Sequence, residues 1–188
     1  MRLTGCPLRC AWCDTTYAYS EGTLRSVRDV VDEVLAFETP LVCVTGGEPL
    51  AQTNALGLMR TLAEAGKTVL LETSGAFDVR VVDPRVRRVI DMKAPSSGQT
   101  TYMLFANLDA LGANDEAKIV ICDEADYEWA RDLIRSHDLA SRTTVLLSTV
   151  FGRYELSRLA ERVLADRLQV RVQPQLHKLM FGSERRGV

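Results

Sequence analysis

Cys6, Cys10 and Cys13 stand in the spacing Cys-x3-Cys-x2-Cys at the start of the chain. Three thiolates suit three irons of a cubic four-iron, four-sulfur cluster, and the fourth iron is left open to another ligand. A closed electron-transfer cluster needs four protein ligands, and a structural zinc ion likewise needs four. The chain has only two histidines, His137 and His177, and neither is near the loop in sequence. A zinc site therefore lacks a nearby fourth ligand, and three incidental buried thiols is the remaining bland reading.

An open iron can be chelated by the amine and carboxylate of an amino acid. S-adenosylmethionine binds in this way, and reductive cleavage of its sulfonium bond at such a cluster makes a 5′-deoxyadenosyl radical. A second signal supports this chemistry. Thr45-Gly46-Gly47-Glu48-Pro49 directly follows an apolar run. Two glycines let a backbone approach a ligand closely, and peptide groups at a strand end suit a methionyl amine. Gly-Gly alone is a common turn; after a Cys-x3-Cys-x2-Cys loop it is a far more specific sign.

These loops need elements to hold them. Short runs rich in Val, Ile and Leu predict strands over 41–45, 68–72, 86–91, 117–122, 144–148 and 168–175, covered on both faces. Amphipathic periodicity predicts helices over 26–38, 54–65, 126–136 and 153–165. Ser26 is the expected N-cap of the first helix, with Asp29 three residues on, and Gly66 the expected C-cap after the second. The stretch 100–112 gives no clear assignment. Alternating strand and helix implies parallel strands with right-handed crossovers, an α/β sheet or partial barrel. Gly46-Gly47-Glu48, Glu72–Gly75, Asp91–Lys93 and Ser148-Thr149 all fall at strand ends. The C-terminal edge of a parallel sheet is where such folds build their sites.

The bulk composition excludes several classes. At 188 residues, 46 % hydrophobic and 26 % charged, the chain reads as one globular domain spanning 1–188. A net charge of −2 gives no general attraction to nucleic acid, and Arg185-Arg186 is too short for a basic patch. No apolar run approaches the ~20 residues of a membrane span, and no signal-peptide pattern is present, which points to a cytoplasmic protein. Five cysteines, three of them within eight positions, fit metal binding better than a disulfide framework. Cys43 and Cys122 lie in apolar strands and read as small core residues.

The segments "GCPLRCAWCDTTYAY", "VTGGEPLAQ", "LLETSG", "DMKAPSSG", "DYEWA" and "VQPQLHK" together resemble the 7-carboxy-7-deazaguanine synthase family of the radical S-adenosylmethionine superfamily. The cysteine motif alone identifies only the superfamily. The resemblance implies a partial TIM-like barrel and conversion of 6-carboxy-5,6,7,8-tetrahydropterin to 7-carboxy-7-deazaguanine with loss of ammonia, in queuosine and 7-deazapurine biosynthesis. It implies a 4Fe–4S cluster on Cys6, Cys10 and Cys13, S-adenosylmethionine used catalytically, and Mg²⁺ on Thr15. By the same resemblance Trp12, Cys13, Asp14, Gly47, Asp91, Met92, Lys93, Ser148, Thr149, Val150 and Phe151 border the cofactor, and Arg2 and Thr45 meet the substrate. An external one-electron donor such as flavodoxin, and a homodimer, are implied as well. Read without the resemblance, Thr15 is a turn hydroxyl, Arg2 a surface residue and Lys93 a solvated strand-end lysine.

In the C-terminal strand, alternation sets Gln173, Gln175 and His177 on one face. Such a row suits a pterin's amide edge, whereas Pro174 favours a plain edge strand. At the front, family members carry about one more strand, with a "QGE" segment that meets the substrate, whereas Met1 lies five residues before Cys6. Either the encoded chain is longer or that strand is absent. Two other functions stay open at this level: a glycyl-radical activating enzyme, and a noncatalytic metal-binding or electron-transfer module.

Overall fold

A computed structural model describes residues 1–183, 185 and 186. Its elements run β1 (Arg2–Leu3), α1 (Val27–Ala36), β2 (Leu41–Gly46), α2 (Ala55–Glu64), β3 (Thr68–Thr73), β4 (Arg87–Met92) and β5 (Glu116–Ile121). They continue with α3 (Glu124–Ser136), α4 (Leu139–Arg142), β6 (Thr144–Thr149), α5 (Leu156–Ala165), β7 (Arg171–Val172) and α6 (Leu176–Phe181). The seven strands are all parallel and form one sheet in sequential order, β1 to β7. This is the open, partial barrel that the strand–helix alternation implied. Two crossovers carry no α-helix: a 3-10 turn at Val79–Val81 links β3 to β4, and three such turns between Pro95 and Ala110 link β4 to β5. The unassigned stretch 100–112 belongs to this second group.

The strands alternate between two environments. Val42 and Val44, Val69 and Leu71, Ile90 and Met92, Ile119 and Ile121, and Val145 and Leu147 are all buried. The β2 and β3 members pack with Leu58, Met59 and Leu62 of α2 and Val31 of α1. The β4 to β6 members pack with Tyr127, Ala130 and Ile134 of α3 and Leu159 of α5. Each large buried aliphatic side chain stabilises the sheet–helix contact by about 1.5–3 kcal/mol. The alternate positions face the concave side; of these Thr45, Glu72, Asp91 and Lys118 are only half-buried, whereas Val89, Val120 and Leu146 are buried. The strands are thus covered by helices on one face, not two, and the second face is a lined cavity.

Local signals account for most boundaries. Ser26 Oγ accepts from the Asp29 N–H at 3.1 Å and caps α1. Gly66, at φ +84°, ends α2, where the Lys67 N–H donates to the Leu62 carbonyl at 3.1 Å. The C-terminal strand differs from expectation: β7 is only Arg171–Val172, and 176–181 is helical. Pro174 has no N–H for a ladder, so pairing with β6 stops just before it. Strand one is present as the two residues Arg2–Leu3, paired with Thr45 and Gly46.

Candidate active site

The C-terminal edge of the sheet opens into a cavity of about 440 Å³. Its lining includes Cys6, Cys10, Trp12, Cys13, Asp14 and Thr15 from the loop after β1, with Arg2 from β1 itself. Thr45, Gly46, Gly47, Glu72, Ser74, Asp91, Lys93, Lys118 and Ser148 come from β2 to β6 and their ends, and Gln173 to Lys178 close the far side. Residues distant in sequence therefore converge because every parallel strand delivers its end to one rim.

The cysteine loop is held by three separate segments. Gly5 N–H donates to the Ala18 carbonyl, and Glu48 N–H to the Gly5 carbonyl, each at 2.8 Å. Trp12 Nε1–H donates to Ser96 Oγ at 3.1 Å, and Ala11 N–H to the Ser97 carbonyl at 3.0 Å. Asp126, buried at the start of α3, in turn accepts from the Ser96 N–H at 2.9 Å and the Cys122 N–H at 3.0 Å, and the Ser96 hydroxyl donates to it too. The "PSSG" and "DYEWA" segments thus form one support beneath the cysteines.

All five cysteines are free thiols. Burial holds the Cys6 and Cys10 thiols above their ordinary value, so ligation has to displace their protons. Among the described residues no three His, Cys, Asp or Glu side chains come close enough to hold a single metal ion. Three free thiols lining one cavity fit a cluster that spreads its ligands over several irons.

Gly46 and Gly47 let β2 run against the loop. Gly46 has φ +147°, and a Cβ there would lie 2.7 Å from the Leu3 carbonyl carbon. Gly47 N–H donates to the Leu3 carbonyl at 3.0 Å. The N–H groups of Gly47 and Glu48 are thus engaged, and an amine, itself a donor, would be met by carbonyl oxygens. Glu48 is fully buried and accepts from Leu50 N–H at 2.9 Å, Thr73 Oγ1–H at 2.8 Å, Ser74 N–H at 2.7 Å and Ser74 Oγ–H at 2.5 Å. The motif's glutamate is a strut joining the ends of β2 and β3, a role that its sequence neighbours did not reveal.

Lys93 Nζ lies 3.1 Å from Asp91 Oδ2 and 5.7 Å from the Trp12 ring centroid. Burial alone would push this ammonium down, but the Asp91 carboxylate beside it outweighs burial and holds it above the ordinary lysine value. Its side chain is only 13 % exposed and paired with Asp91, which excludes the solvated strand-end reading. Arg2 has no carboxylate partner among the described residues; its guanidinium lies 6.0 Å from the Tyr17 ring centroid. Thr45 Oγ1–H donates to Glu72 Oε2 at 3.2 Å. Among the described residues the one hydrogen-bond contact of Thr15 Oγ1 is with the Cys13 sulfur, at 3.8 Å.

Four expected residues stand elsewhere. The Met92 side chain points to the convex face and is fully buried in the core, and Thr149, Val150 and Phe151 do not line the cavity. Gln173, Gln175 and His177 do line it, but so do Pro174, Leu176 and Lys178 between and beside them. Strand alternation does not explain that arrangement, because 176–178 belong to α6. Asp14 Oδ2 lies 3.3 Å from Gln175 Nε2 and 3.3 Å from Lys178 Nζ, which ties this segment to the cluster loop. Cys43 and Cys122 are half-buried rather than core residues.

A sequence model described as the radical SAM superfamily matches residues 2–137. The 7-carboxy-7-deazaguanine synthase of Chlorobaculum tepidum is 45 % identical over 192 residues, covering all of this chain and 87 % of its own length. The chain belongs to the 7-carboxy-7-deazaguanine synthase family. The synthase of that name from Koribacter versatilis is 40 % identical, covering all of this chain and 90 % of its own length. The crystal structure of QueE from Escherichia coli superposes with a TM-score of 0.73 at 22 % identity, covering 92 % of this chain and 83 % of that one, which is agreement of fold. Membership in this radical enzyme family implies a 4Fe–4S cluster and S-adenosylmethionine. It sets aside both the glycyl-radical activating enzyme and the noncatalytic metal module.

Proposed function

We propose that this enzyme converts 6-carboxy-5,6,7,8-tetrahydropterin to 7-carboxy-7-deazaguanine and ammonia. The observation that carries the reading is the convergence, in a chain of this family, of three cysteines, a glycine-lined strand end and two cations, Arg2 and Lys93, on one cavity. The product is the substrate less ammonia, so no net redox change occurs and the cofactor is regenerated. Cluster-bound S-adenosylmethionine supplies the hydrogen-abstracting radical when one electron is delivered.

The chain's residues then bind, orient and shield. Cys6, Cys10 and Cys13 hold the cluster. Trp12, Asp14, Gly47, Asp91, Lys93 and Ser148 border the cofactor with side chain or backbone. Met92, Thr149, Val150 and Phe151 are not among the residues that line the cavity, and no contact with the cofactor is proposed for them. Arg2 takes the substrate carboxylate, for which a guanidinium fork is suited, and Thr45 orients the ring from the neighbouring strand. Thr15 offers a hard hydroxyl oxygen for Mg²⁺, an ion that keeps waters and takes substrate oxygens. A small flavodoxin-type protein serves as donor, and the chain works as a homodimer; both follow family resemblance. Among the described residues no helix is long and apolar enough to cross a membrane.

Anaerobically reconstituted protein is expected to carry about four irons, form the deazaguanine and return S-adenosylmethionine unconsumed. Stoichiometric 5′-deoxyadenosine without a pterin-derived product defeats the reading.

A further inference from the structure

Lys118 lies in the middle of β5, inside an otherwise apolar run, and was not among the residues that motif resemblance pointed to. We infer that Lys118 is a substrate-binding and specificity residue, donating to an oxygen of the pterin. The inference rests on the proposed reaction and assigns a further contact within it.

The sheet register sets its depth. Met92 pairs with Ile119 and Val120 with Ser148, so Lys93, Val120 and Ser148 share the upper row proposed for the cofactor. Lys118 pairs with Asp91 on one side and Leu146 on the other, two residues further from the rim. At about 3.3 Å of rise per residue, that places its Cα roughly 7 Å below the row of Lys93 and Ser148, level with Asp91. Around it the cavity wall is Val89, Val120 and Leu146. Apolar walls with one aimed polar group are the usual design of a site that stacks a flat ring and reads one of its edges.

Among the described residues its charge has one counter-ion, and that one is distant. Lys118 Nζ is 3.9 Å from Asp91 Oδ2, beyond hydrogen-bond distance, and among the described residues it makes no hydrogen bond. Lys93 is the closer partner of that carboxylate oxygen, at 3.1 Å. A lysine serving Asp91 would reach its other oxygen, yet Oδ1 is buried without a partner. The side chain is only 30 % exposed, so its ammonium is partly desolvated with little return from the protein. A substrate oxygen provides that return. Arg2 approaches the same cavity from β1, at the opposite side of the sheet, so a carboxylated ring would be held between two cations.

The test uses the anaerobically reconstituted enzyme with Lys118→Met and Lys118→Arg. Equilibrium binding is measured for 6-carboxytetrahydropterin and, separately, for S-adenosylhomocysteine. Loss of a charge-assisted hydrogen bond is expected to raise the pterin Kd about 10- to 100-fold in Lys118→Met. The S-adenosylhomocysteine Kd and the cluster spectrum stay at wild-type values and report an intact fold, and Lys118→Arg recovers part of the loss. Repeating the comparison with a tetrahydropterin lacking the carboxylate identifies the oxygen: a persisting penalty assigns the ring carbonyl, a vanishing one the carboxylate. If Lys118→Met does not fold, Lys118→Gln replaces it. Unchanged pterin affinity, or a loss confined to S-adenosylhomocysteine, overturns the inference while leaving the proposed reaction standing. Wild-type protein that binds no pterin removes the reaction itself, and the inference with it.

Discussion

Glu48 and Ser74 are joined twice, the serine N–H and hydroxyl both donating to Glu48 Oε2, at 2.7 and 2.5 Å. With Thr73 on Oε1, this fully buried carboxylate ties the end of β3 to the loop that carries Gly46 and Gly47. Glu48→Ala leaves these donors buried and unpaired, which costs about 1–3 kcal/mol for each donor that finds no water. The variant is expected to lower the urea midpoint and to weaken S-adenosylhomocysteine binding at least as strongly, because the strut and the cofactor wall are one structure. Calorimetric binding next to urea unfolding checks it; wild-type affinity in a folded variant would show the strut to be dispensable.

How much of this was legible beforehand depended on whether a signal was local. Val42 and Val44, or Ile119 and Ile121, mark strands by their own type, and β2 to β6 lie within about two residues of the expected spans. The Asp91–Lys93 strand end was legible for the same reason. The 168–175 strand was not, because Pro174 is read differently according to whether a neighbour needs its N–H, which only the β6 pairing reveals. Met92 shows a further limit. Motif resemblance covers three consecutive residues, but strand alternation sends the middle side chain into the core. Glu48 looked like an ordinary motif residue, since its four donors come from Leu50, Thr73 and Ser74. Lys118 carried one signal that could have been used: a lysine inside the apolar run of β5 demands a reason.

Gly47 is required by space. A Cβ on it would lie 2.6 Å from the Gly5 carbonyl carbon and 2.8 Å from the Ala18 carbonyl oxygen, both backbone atoms that cannot rotate away. Gly47→Ala is therefore expected to push the cysteine loop off β2. The reconstituted iron content and the S-adenosylhomocysteine affinity should fall together, whereas Gly57→Ala, where a Cβ meets nothing within 4 Å, leaves both unchanged. Full iron loading in Gly47→Ala would mean the loop tolerates the shift.

Arg88 and Asp115 form the most enclosed ion pair away from the cavity, with Arg88 Nη2 2.6 Å from Asp115 Oδ2 and Gly112 N–H donating to the same oxygen at 2.9 Å. Burial alone would raise the Asp115 carboxyl, but bonds from the Arg88 side chain and from the Gly112 and Arg88 N–H groups outweigh it, and it sits below its ordinary value. The unfolded chain therefore takes up this proton first as pH falls. The stabilisation is complete above the unfolded carboxylate value and is lost as pH drops through the lower folded one. Asp115→Asn strands the Arg88 charge and should cost about 3 kcal/mol at neutral pH. The gap between wild type and variant should be flat from about pH 8 to 5 and shrink only below about 4. Urea midpoints across that range test it, and a gap closing between pH 7 and 5 would assign the effect to another group.

Thr15 is the proposed Mg²⁺ ligand, and among the described residues its hydroxyl makes no short hydrogen bond that a metal would have to break, its one polar contact being the Cys13 sulfur at 3.8 Å. Removing Mg²⁺ with a chelator is expected to depress turnover reversibly. Thr15→Val keeps the branched shape and deletes the oxygen, so the Mg²⁺ concentration giving half-maximal rate should rise about tenfold, the loss of one of several oxygen ligands. Thr15→Ser restores the oxygen and should restore the titration. S-adenosylhomocysteine affinity stays constant across the three proteins, which separates a lost metal ligand from a displaced cysteine loop. A Thr15→Val enzyme with an unchanged Mg²⁺ titration would return this hydroxyl to its plain role as a turn residue.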